Sequence, residues 1–295
     1  MIPKFIQTAA DLQTPHRDIC SGFLIQAFQK TDQAEIYIKE ANKFYDMLKN
    51  TQNIDELLNQ PNFFSYITSA CGFSQKAQSH LTQKELIDVI KKVLMKISKE
   101  TGEGFREDLL YRYLLTKGDS LGGRMRNLTG AYAGIKLTDI IRKRLSAKKK
   151  EVKVEKNESG KVKKLTFHNR ILLFDVTPKL IGKNIDVIMI DNGGSSVKKN
   201  KLLANESKYI ACGELKGGID PAGADEHWKT ANTAFGRIRT TFKKRKLGLF
   251  FIGGVIEISM ANEIFNQLKC GELTHAANLY NEKQLTDLVD WLLSL

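Results

Sequence analysis

Glu214 and Lys216 are separated by a single residue in an apolar stretch, residues 209–216, that the sequence predicts to be a β-strand. Side chains alternate between the faces of a strand, so residues two apart share a face. Asp186 lies on the strand that is predicted just upstream, within residues 184–190. This spacing allows two carboxylates and one lysine to meet on one face of two neighbouring strands.

Such a trio can hydrolyse a phosphodiester with one or two magnesium ions. The hard oxygen ligands would be Asp186, Glu214 and the backbone carbonyl of Leu215, which would hold Mg²⁺ beside the scissile phosphate. Lys216 would place positive charge near the attacking water. The alternative interpretation is a set of ordinary strand-edge charges, because an Asp followed later by Glu-x-Lys also arises by chance.

A polar, glycine-rich block, residues 217–229, follows the second strand directly and contains His227. Glycines and charged residues at this density favour close approach of the backbone to a partner. His227 lies on the first turn of the next predicted helix and close in sequence to Lys216, where it could act as a base. The alternative is an exposed histidine without a chemical role.

The elements that must position these residues differ between the two halves of the chain. Residues 18–30 and 34–48 carry apolar residues at three- and four-residue spacing, which predicts two helices. Thr82 and Glu85 form a capping box at the start of another amphipathic helix, and Gly102 ends it.

Short β-branched or aromatic runs, bounded by Gly, Pro or Asn, follow in the second half and predict strands at residues 164–176, 185–190, 209–216 and 247–257. Helices are predicted at residues 225–243, from about 259, and from about 282 onward. The predicted fold class is mixed α/β. Residues 1–147 would form a mainly helical region, and residues 148–295 an α/β region with a central mixed sheet flanked by helices.

Residues 118–127 carry three glycines and a cluster of polar side chains. One interpretation is a helix that stops and restarts, because glycine permits unusual backbone conformations. The other interpretation is a loop that faces DNA phosphates or the minor groove. Its DNA-contacting side chains would be Asp119, Arg124, Arg126 and Asn127.

The chain of 295 residues contains 46 lysines and arginines against 33 aspartates and glutamates, a net charge of +13. This excess favours a polyanionic partner, whether DNA, RNA or an anionic membrane surface. The positive charge is clustered at residues 142–150, 161–164, 198–201 and 243–246. Each cluster is either a solvated loop or a surface that neutralises phosphates.

The sequence predicts neither a membrane span nor a secreted protein. It contains no run of eighteen apolar residues, and its first residues lack the layout of a signal peptide. The four cysteines are widely spaced and form no CxxC pair, which indicates free thiols in a reducing compartment such as the cytoplasm.

Two segments closely resemble the AvaI/BsoBI family of type II restriction endonucleases. They are GELKGGIDPAGADEHWKTANTA at residues 213–234 and YLLTKGDSLGGRMRN at residues 113–127, with a looser match at 252–262. The resemblance is strong from about Gly102 onward, except at 148–167 and 192–208, and patchy over the first hundred residues. It implies the PD-(D/E)XK nuclease core, although Ile185 rather than proline precedes Asp186.

The resemblance also assigns roles to individual residues. Asp186, Glu214 and Lys216 would form the metal-dependent core, and His227 would help to activate the water. Base contacts would come from Asp220, Lys183 and Lys76. An Asp in the major groove can accept from cytosine N4, and a Lys can donate to guanine. Asp220 could instead cap a helix, because Pro221 follows it.

The function implied by the resemblance is Mg²⁺-dependent double-strand cleavage at a palindromic site, leaving 5′-phosphates. The site could be a degenerate hexamer such as C-Y-C-G-R-G. The protein would act as a homodimer on duplex DNA, in a prokaryotic cytoplasm, paired with a cognate DNA methyltransferase. Residues 1–147 would embrace and recognise the DNA, and residues 148–295 would be the catalytic nuclease core. The alternatives are a repair or recombination nuclease with the same core, and a catalytically silent DNA-binding protein.

Overall fold

A computed structural model describes residues 2–51, 53–59, 61, 64–158, 160–193, 199–243 and 245–295. The α-helices are α1 (His16–Asn50), α2 (Ile54–Leu58), α3 (Phe64–Ala70), α4 (Gln75–Gln78), α5 (Gln83–Thr101), α6 (Phe105–Ala147), α7 (Lys199–Leu203), α8 (Ala224–Thr241), α9 (Ile258–Cys270) and α10 (Glu282–Ser294). The strands are β1 (Lys153–Lys156), β2 (Val162–Phe167), β3 (Arg170–Val176), β4 (Ile185–Asp191), β5 (Tyr209–Lys216), β6 (Gly248–Gly253) and β7 (His275–Asn278).

The described strands form one sheet in which chain order and spatial order coincide, from β1 to β7. Pairing is antiparallel from β1 through β5 and parallel from β5 through β7. Parallel neighbours need crossover connections, and α8 and α9 supply them. Helices precede this mixed sheet in the chain, which confirms the predicted mixed α/β fold class.

The chain divides into two compact units. The α/β unit contains the residues up to Leu24 together with Asn127–Leu295, and the helical unit is Ile25–Arg126. Both limits fall inside long helices, α1 and α6, rather than at residue 147, where helix gives way to sheet. The division into a DNA-embracing region and a catalytic core therefore remains a functional prediction.

Both faces of the sheet are buried within the α/β unit. On one face, apolar residues of α8 and α9, including Trp228, Phe235 and Ile264, pack in a core with β4 and β5. On the other, the end of α6 and α10 contribute Leu137 and Leu288 to a second core. Because helices cover both faces, the central strands are continuous apolar runs, and charged residues within them stand out.

The start of the chain is hydrogen-bonded to elements near its end. The Thr14 amide donates to the Ile256 carbonyl at 3.0 Å, and the Asn278 side-chain amide donates to the Thr14 hydroxyl at 2.6 Å. The side-chain amide of Gln284 donates to the Asp11 carbonyl at 2.6 Å. The Thr14, Asn278 and Gln284 residues are all buried, so these bonds satisfy polar groups that water does not reach.

The helical unit has an aromatic core of its own, in which Phe44, Tyr66 and Tyr113 contact one another. The predicted capping box at the start of α5 is confirmed. The Thr82 hydroxyl accepts from the Glu85 amide at 3.3 Å, and the Thr82 amide donates to the Glu85 carboxylate at 2.8 Å. No described helix is both long and apolar enough to cross a membrane.

Both interpretations of residues 118–127 as interrupted helix or loop are wrong, because α6 runs through them without a break. An internal glycine costs a helix only about 1 kcal/mol relative to alanine. Leu121 and Met125, four residues apart on one helix face, are buried and offset that cost. Similarly, the two helices predicted at 18–30 and 34–48 are one helix, α1.

The strand predictions need three corrections. The single run at 164–176 is a hairpin of β2 and β3, turned at His168, whose φ is 50°. The strand predicted at 247–257 ends at Gly253. β1 and β7 were not predicted, because β1 is mostly charged and the apolar residues of β7 are alanines.

We expect Gly118→Ala and Gly122→Ala each to stabilise the protein against urea by about 0.5–1 kcal/mol, measured by circular dichroism. A Cβ at either position would meet no atom within 4 Å, and alanine restricts the unfolded chain. As the control, Gly102→Ala should destabilise, because the φ of Gly102 is 55°. Stability losses in both helix variants would contradict a continuous helix at this segment.

Candidate active site

Asp186 and Glu214 come from strands that pair directly. In the β4–β5 ladder, Val187 lies opposite Gly213, so the next residues along the two antiparallel strands, Asp186 and Glu214, are also neighbours. The Asp186 carboxylate accepts a hydrogen bond from the Leu215 amide at 2.9 Å. This bond fixes the orientation of the Asp186 side chain against the β5 backbone.

Lys216 joins the two carboxylates. Its Nζ lies 2.7 Å from Asp186 Oδ2 and 2.8 Å from Glu214 Oε2. Glu214 and Lys216 can share these contacts because they are two apart on β5 and point to one face of the sheet. The structure thus brings together the three side chains whose spacing suggested a common site.

The Glu214 carboxyl is 3% exposed, and its Oε1 has no hydrogen-bond partner among the described residues. Burial raises its pKa to about 7, the charge of Asp186 adds to the increase, and Lys216 opposes it. For Lys216, burial lowers the pKa, but the two carboxylates outweigh burial and leave the pKa raised. The site therefore combines a firmly charged lysine with a carboxyl that is costly to ionise.

An open cavity of about 180 Å³ gives access to this cluster. Asp186, Leu215 and Lys216 line one side of it. The facing wall belongs to α6, where small residues leave room for a ligand: Gly130, Ala131 and Gly134. A substrate could reach Lys216 and Asp186 through this opening.

Two glycines at the ends of strands, Gly217 after β5 and Gly254 after β6, are required by internal packing. A Cβ on Gly217 would lie 2.6 Å from the Thr129 carbonyl oxygen of α6, and one on Gly254 would lie 2.6 Å from the Gly218 carbonyl oxygen. The Gly254 amide also donates to the Lys216 carbonyl at 2.7 Å. These contacts explain both glycines without invoking a partner, and they hold the end of β5 in place.

His227 occupies the first turn of α8, as predicted, and is exposed. Its Nε2 lies 3.0 Å from the position that a Cβ on Gly218 would occupy. Among the described residues it makes no hydrogen bond to Asp186, Glu214 or Lys216. The structure therefore does not join His227 to the carboxylate–lysine cluster by a direct contact.

Two of the predicted base-contacting residues, Asp220 and Lys183, lie on loops, whereas Lys76 belongs to α4. Asp220 caps the turn at Pro221–Gly223, where its Oδ1 accepts from the Ala222 backbone amide at 3.0 Å. The alternative prediction for this residue, a capping role, is therefore confirmed. Its exposed carboxylate could still accept from a base. Lys183 is exposed in the loop before β4, and the side chain of Lys76 lies outside the described residues.

The side chains predicted to face DNA at 118–127 sit on α6. Asp119 and Arg124 are exposed in the helical unit, and Asn127 is exposed at the start of the second segment of the α/β unit. The side chain of Arg126 lies outside the described residues. These residues therefore present polar groups on a helix surface rather than on a loop.

Sequence reasoning missed a cluster of three charged residues, two of which line the same cavity. Asp175 and Lys161 line it, and the Asp175 carboxylate accepts from the nearby Lys163. A lone carboxylate within the apolar run of β3 was the available signal. Lys161 and Lys163 were noted only as part of a basic cluster.

The described residues contain no group of three or more His, Cys, Asp or Glu side chains that could hold a metal ion. Two carboxylates, Asp186 and Glu214, are available together with the Leu215 backbone. This donor set fits magnesium, which usually binds one or two carboxylates and completes its octahedron with water and substrate phosphate oxygens. The unpartnered Oε1 of Glu214 is a buried oxygen that lacks a donor and is suited to a cation.

The family model described as restriction endonuclease BsobI matches the chain over residues 3–166 and 142–295. The type II restriction enzyme AvaI of Nostoc sp. is 37% identical over 310 residues, covering 98% of this chain and 98% of that protein. The type II restriction enzyme BsoBI of Geobacillus stearothermophilus is 34% identical over 313 residues, covering 98% of this chain and 97% of that protein.

We expect Glu214→Gln to change how stability depends on pH in metal-free buffer. Because the pKa of Glu214 is raised to about 7 in the folded protein, its stabilising effect is present below pH 4.5 and is lost as the pH rises through 7. Between pH 5 and 8.5 the variant should therefore gain on the order of 2 kcal/mol relative to the wild type, measured by urea denaturation.

The matched control is Glu151→Gln, which changes an exposed carboxyl to an amide. Its stability should follow the wild type across the same pH range. If the stability of Glu214→Gln also follows that of the wild type across this pH range, the pKa of Glu214 is not raised in the folded protein.

Proposed function

Because this chain belongs to the BsobI restriction endonuclease family, we propose that it is a type II site-specific deoxyribonuclease. It cuts both strands of duplex DNA at a palindromic site, requires Mg²⁺ and leaves 5′-phosphates. The target is a hexamer such as C-Y-C-G-R-G. A repair or recombination nuclease with the same core, and a silent DNA-binding protein, are the alternatives that experiment must exclude.

The observation that carries the proposal is the contact of one lysine with two carboxylates on adjacent strands. Lys216 Nζ bonds to Asp186 at 2.7 Å and to Glu214 at 2.8 Å. Most buried side-chain oxygens in folded proteins accept a hydrogen bond from a donor. Glu214 Oε1 has none among the described residues, which supports a role for this oxygen in ligand binding.

Asp186, Glu214 and the Leu215 carbonyl would hold Mg²⁺. When bound, Mg²⁺ would supply Lewis-acid stabilisation of the negative charge that develops at the scissile phosphate. Asp186 is oriented for this role by the Leu215 amide, and Glu214 by the ammonium of Lys216. Both oxygen ligands are therefore positioned before substrate arrives, which lowers the cost of reorganisation.

Lys216 orients the attacking water and adds positive charge where the phosphate becomes more negative. Asp186 and Glu214 favour the charged form of Lys216 and raise its pKa, so we assign it the role of a hydrogen-bond donor. We assign the acceptance of the water's proton to His227, directly or through a second water. Catalytic hydrogen bonds often form only in the substrate complex, which accords with the exposed position of His227.

Sequence recognition is proposed for Asp220 and Lys183 on loops of the α/β unit and for Lys76 on α4 of the helical unit. Asp220 would accept from cytosine N4, while Lys183 and Lys76 would donate to guanine. Contacts with the DNA backbone or minor groove would come from Asp119, Arg124, Arg126 and Asn127 on α6. We propose on this basis that residues 1–147 embrace the DNA.

A palindromic target is read naturally by a protein with two-fold symmetry, because each subunit contacts one half-site. We therefore propose that the protein acts as a homodimer. A nuclease of this specificity would also cut the DNA of its own cell. It would accordingly work with a cognate DNA methyltransferase that modifies the same sites.

We expect digestion of a fully sequenced phage DNA with the purified protein and Mg²⁺ to yield discrete fragments whose 5′-phosphate ends share one palindromic motif. EDTA should abolish cutting. Mapping of the ends on both strands gives the site and the overhang. Random nicking or degradation from ends would support the repair nuclease instead, and binding without any cleavage would support the silent DNA-binding protein.

We expect Asp186→Asn and Glu214→Gln each to reduce cleavage on the order of 1000-fold, equivalent to about 4 kcal/mol of barrier. Both substitutions keep the size of the side chain and remove a charged oxygen ligand. Binding of duplex DNA should persist in a gel-shift assay. The exposed Asp139→Asn on α6 is the control and should cut like the wild type. Efficient Mg²⁺-dependent cleavage by either site variant would overturn the assignment.

A further inference from the structure

A second cluster of opposite charges borders the cavity that leads to the candidate active site. The Asp175 carboxylate lies 2.7 Å from Lys161 Nζ and 3.3 Å from Lys163 Nζ. Asp175 and Lys161 line the same cavity as Asp186 and Lys216. The two clusters are therefore adjacent parts of one surface.

Asp175 is held in an unusual backbone conformation. In the β3–β4 ladder, Phe174 pairs with Val187 and Val176 pairs with Ile185, so Asp175 lies opposite Asp186. The φ of Asp175 is 49°, in the left-handed region that non-glycine residues rarely adopt. Such backbone conformations persist where the surrounding structure holds them, and they cluster at functional sites.

The turn between β1 and β2 determines where Lys161 lies. The Asn157 amide donates to the Lys161 carbonyl at 2.9 Å, and the Lys161 amide donates to the Asn157 side-chain oxygen at 2.8 Å. These two bonds close the turn immediately before β2. Lys161 is thus anchored at its backbone, while its side chain is 39% exposed beside the cavity.

The two clusters have opposite net charge. Lys216 faces two carboxylates, so this part of the cavity has an excess of negative charge and favours a cation. Asp175 faces two lysines, so the neighbouring part has an excess of positive charge and favours an anion. A cation-binding and an anion-binding group side by side match a metal-bound phosphodiester and the next phosphate along the same strand.

We propose that Lys161 and Lys163 bind a DNA backbone phosphate next to the scissile one, and that Asp175 is a positioning residue that holds both lysines until the phosphate replaces it. This inference rests on the proposed action on DNA. The lysine side chains are each 39% exposed, so they can exchange a carboxylate for a phosphate without unfolding of the hairpin. The small residues of α6 leave the approach open.

The first test measures binding of the full-length protein to a duplex in EDTA by fluorescence anisotropy at several salt concentrations, so that no cleavage occurs. The double variant Lys161→Gln/Lys163→Gln should bind more weakly. The slope of log K against log salt should become shallower by about 0.9, the value for one lost phosphate contact. The control is Lys164→Gln on the same strand, whose Nζ pairs with Glu155 at 2.9 Å and not with Asp175.

The second test asks whether Asp175 weakens DNA binding by pairing with the two lysines or only by repelling the DNA phosphates. Asp175→Asn should tighten binding about fivefold, because DNA no longer has to replace an exposed ion pair. This gain should disappear when Lys161→Gln/Lys163→Gln is also present. The matched control, Glu155→Gln, removes the partner of Lys164 on the same hairpin and should leave affinity unchanged.

An unchanged salt slope in the lysine double variant would overturn the inference. So would a gain from Asp175→Asn that persists without the two lysines, because Asp175 would then act only by repelling DNA. Thermal unfolding of each variant verifies that the fold is intact. Failure of the wild type to bind any duplex would overturn the proposed function itself, whereas tight binding without cleavage would leave this inference standing.

Discussion

The contact of one ammonium group with two carboxylates is the interaction on which the site depends. Asp186 and Glu214 would repel each other on neighbouring strands if both were charged, and Glu214 is almost completely buried. Lys216 lies between them and compensates for part of that cost. The remaining cost appears as the raised pKa of Glu214. The chain thus maintains a local instability that binding of a cation would relieve.

This contact requires a fixed strand register. A slip of one residue between β4 and β5 would move Glu214 and Lys216 to the opposite face of the sheet from Asp186. The structure resists such a slip from several directions. β5 is paired on both edges, antiparallel to β4 and parallel to β6, and the glycine contacts after Lys216 leave no room for displacement. Strand pairing on both edges and close packing against α6 therefore hold β5, and with it Glu214 and Lys216, in place.

The sequence predicted the central elements because local signals and tertiary packing agree there. β5 has the predicted limits, and the strand that bears Asp186 is its neighbour. Prediction failed where packing overrides local preference, as in α6, whose glycines do not interrupt it. It also failed at Asp175, because its lysine partners become visible only when the β1–β2 turn is folded against β3. The roles assigned to His227 and Asp220 depend on groups that substrate would bring.

The buried bonds between Thr14, Asn278 and Gln284 join the two extremes of the α/β unit. The β7 strand and α10 must be present before residues near Thr14 can find their partners, although ribosomes deliver those residues first. The α/β unit would therefore remain incomplete until α10 has been made. Because β7 pairs with β6 and β6 pairs with β5, loss of this C-terminal segment would also remove support from the strand that carries Glu214 and Lys216.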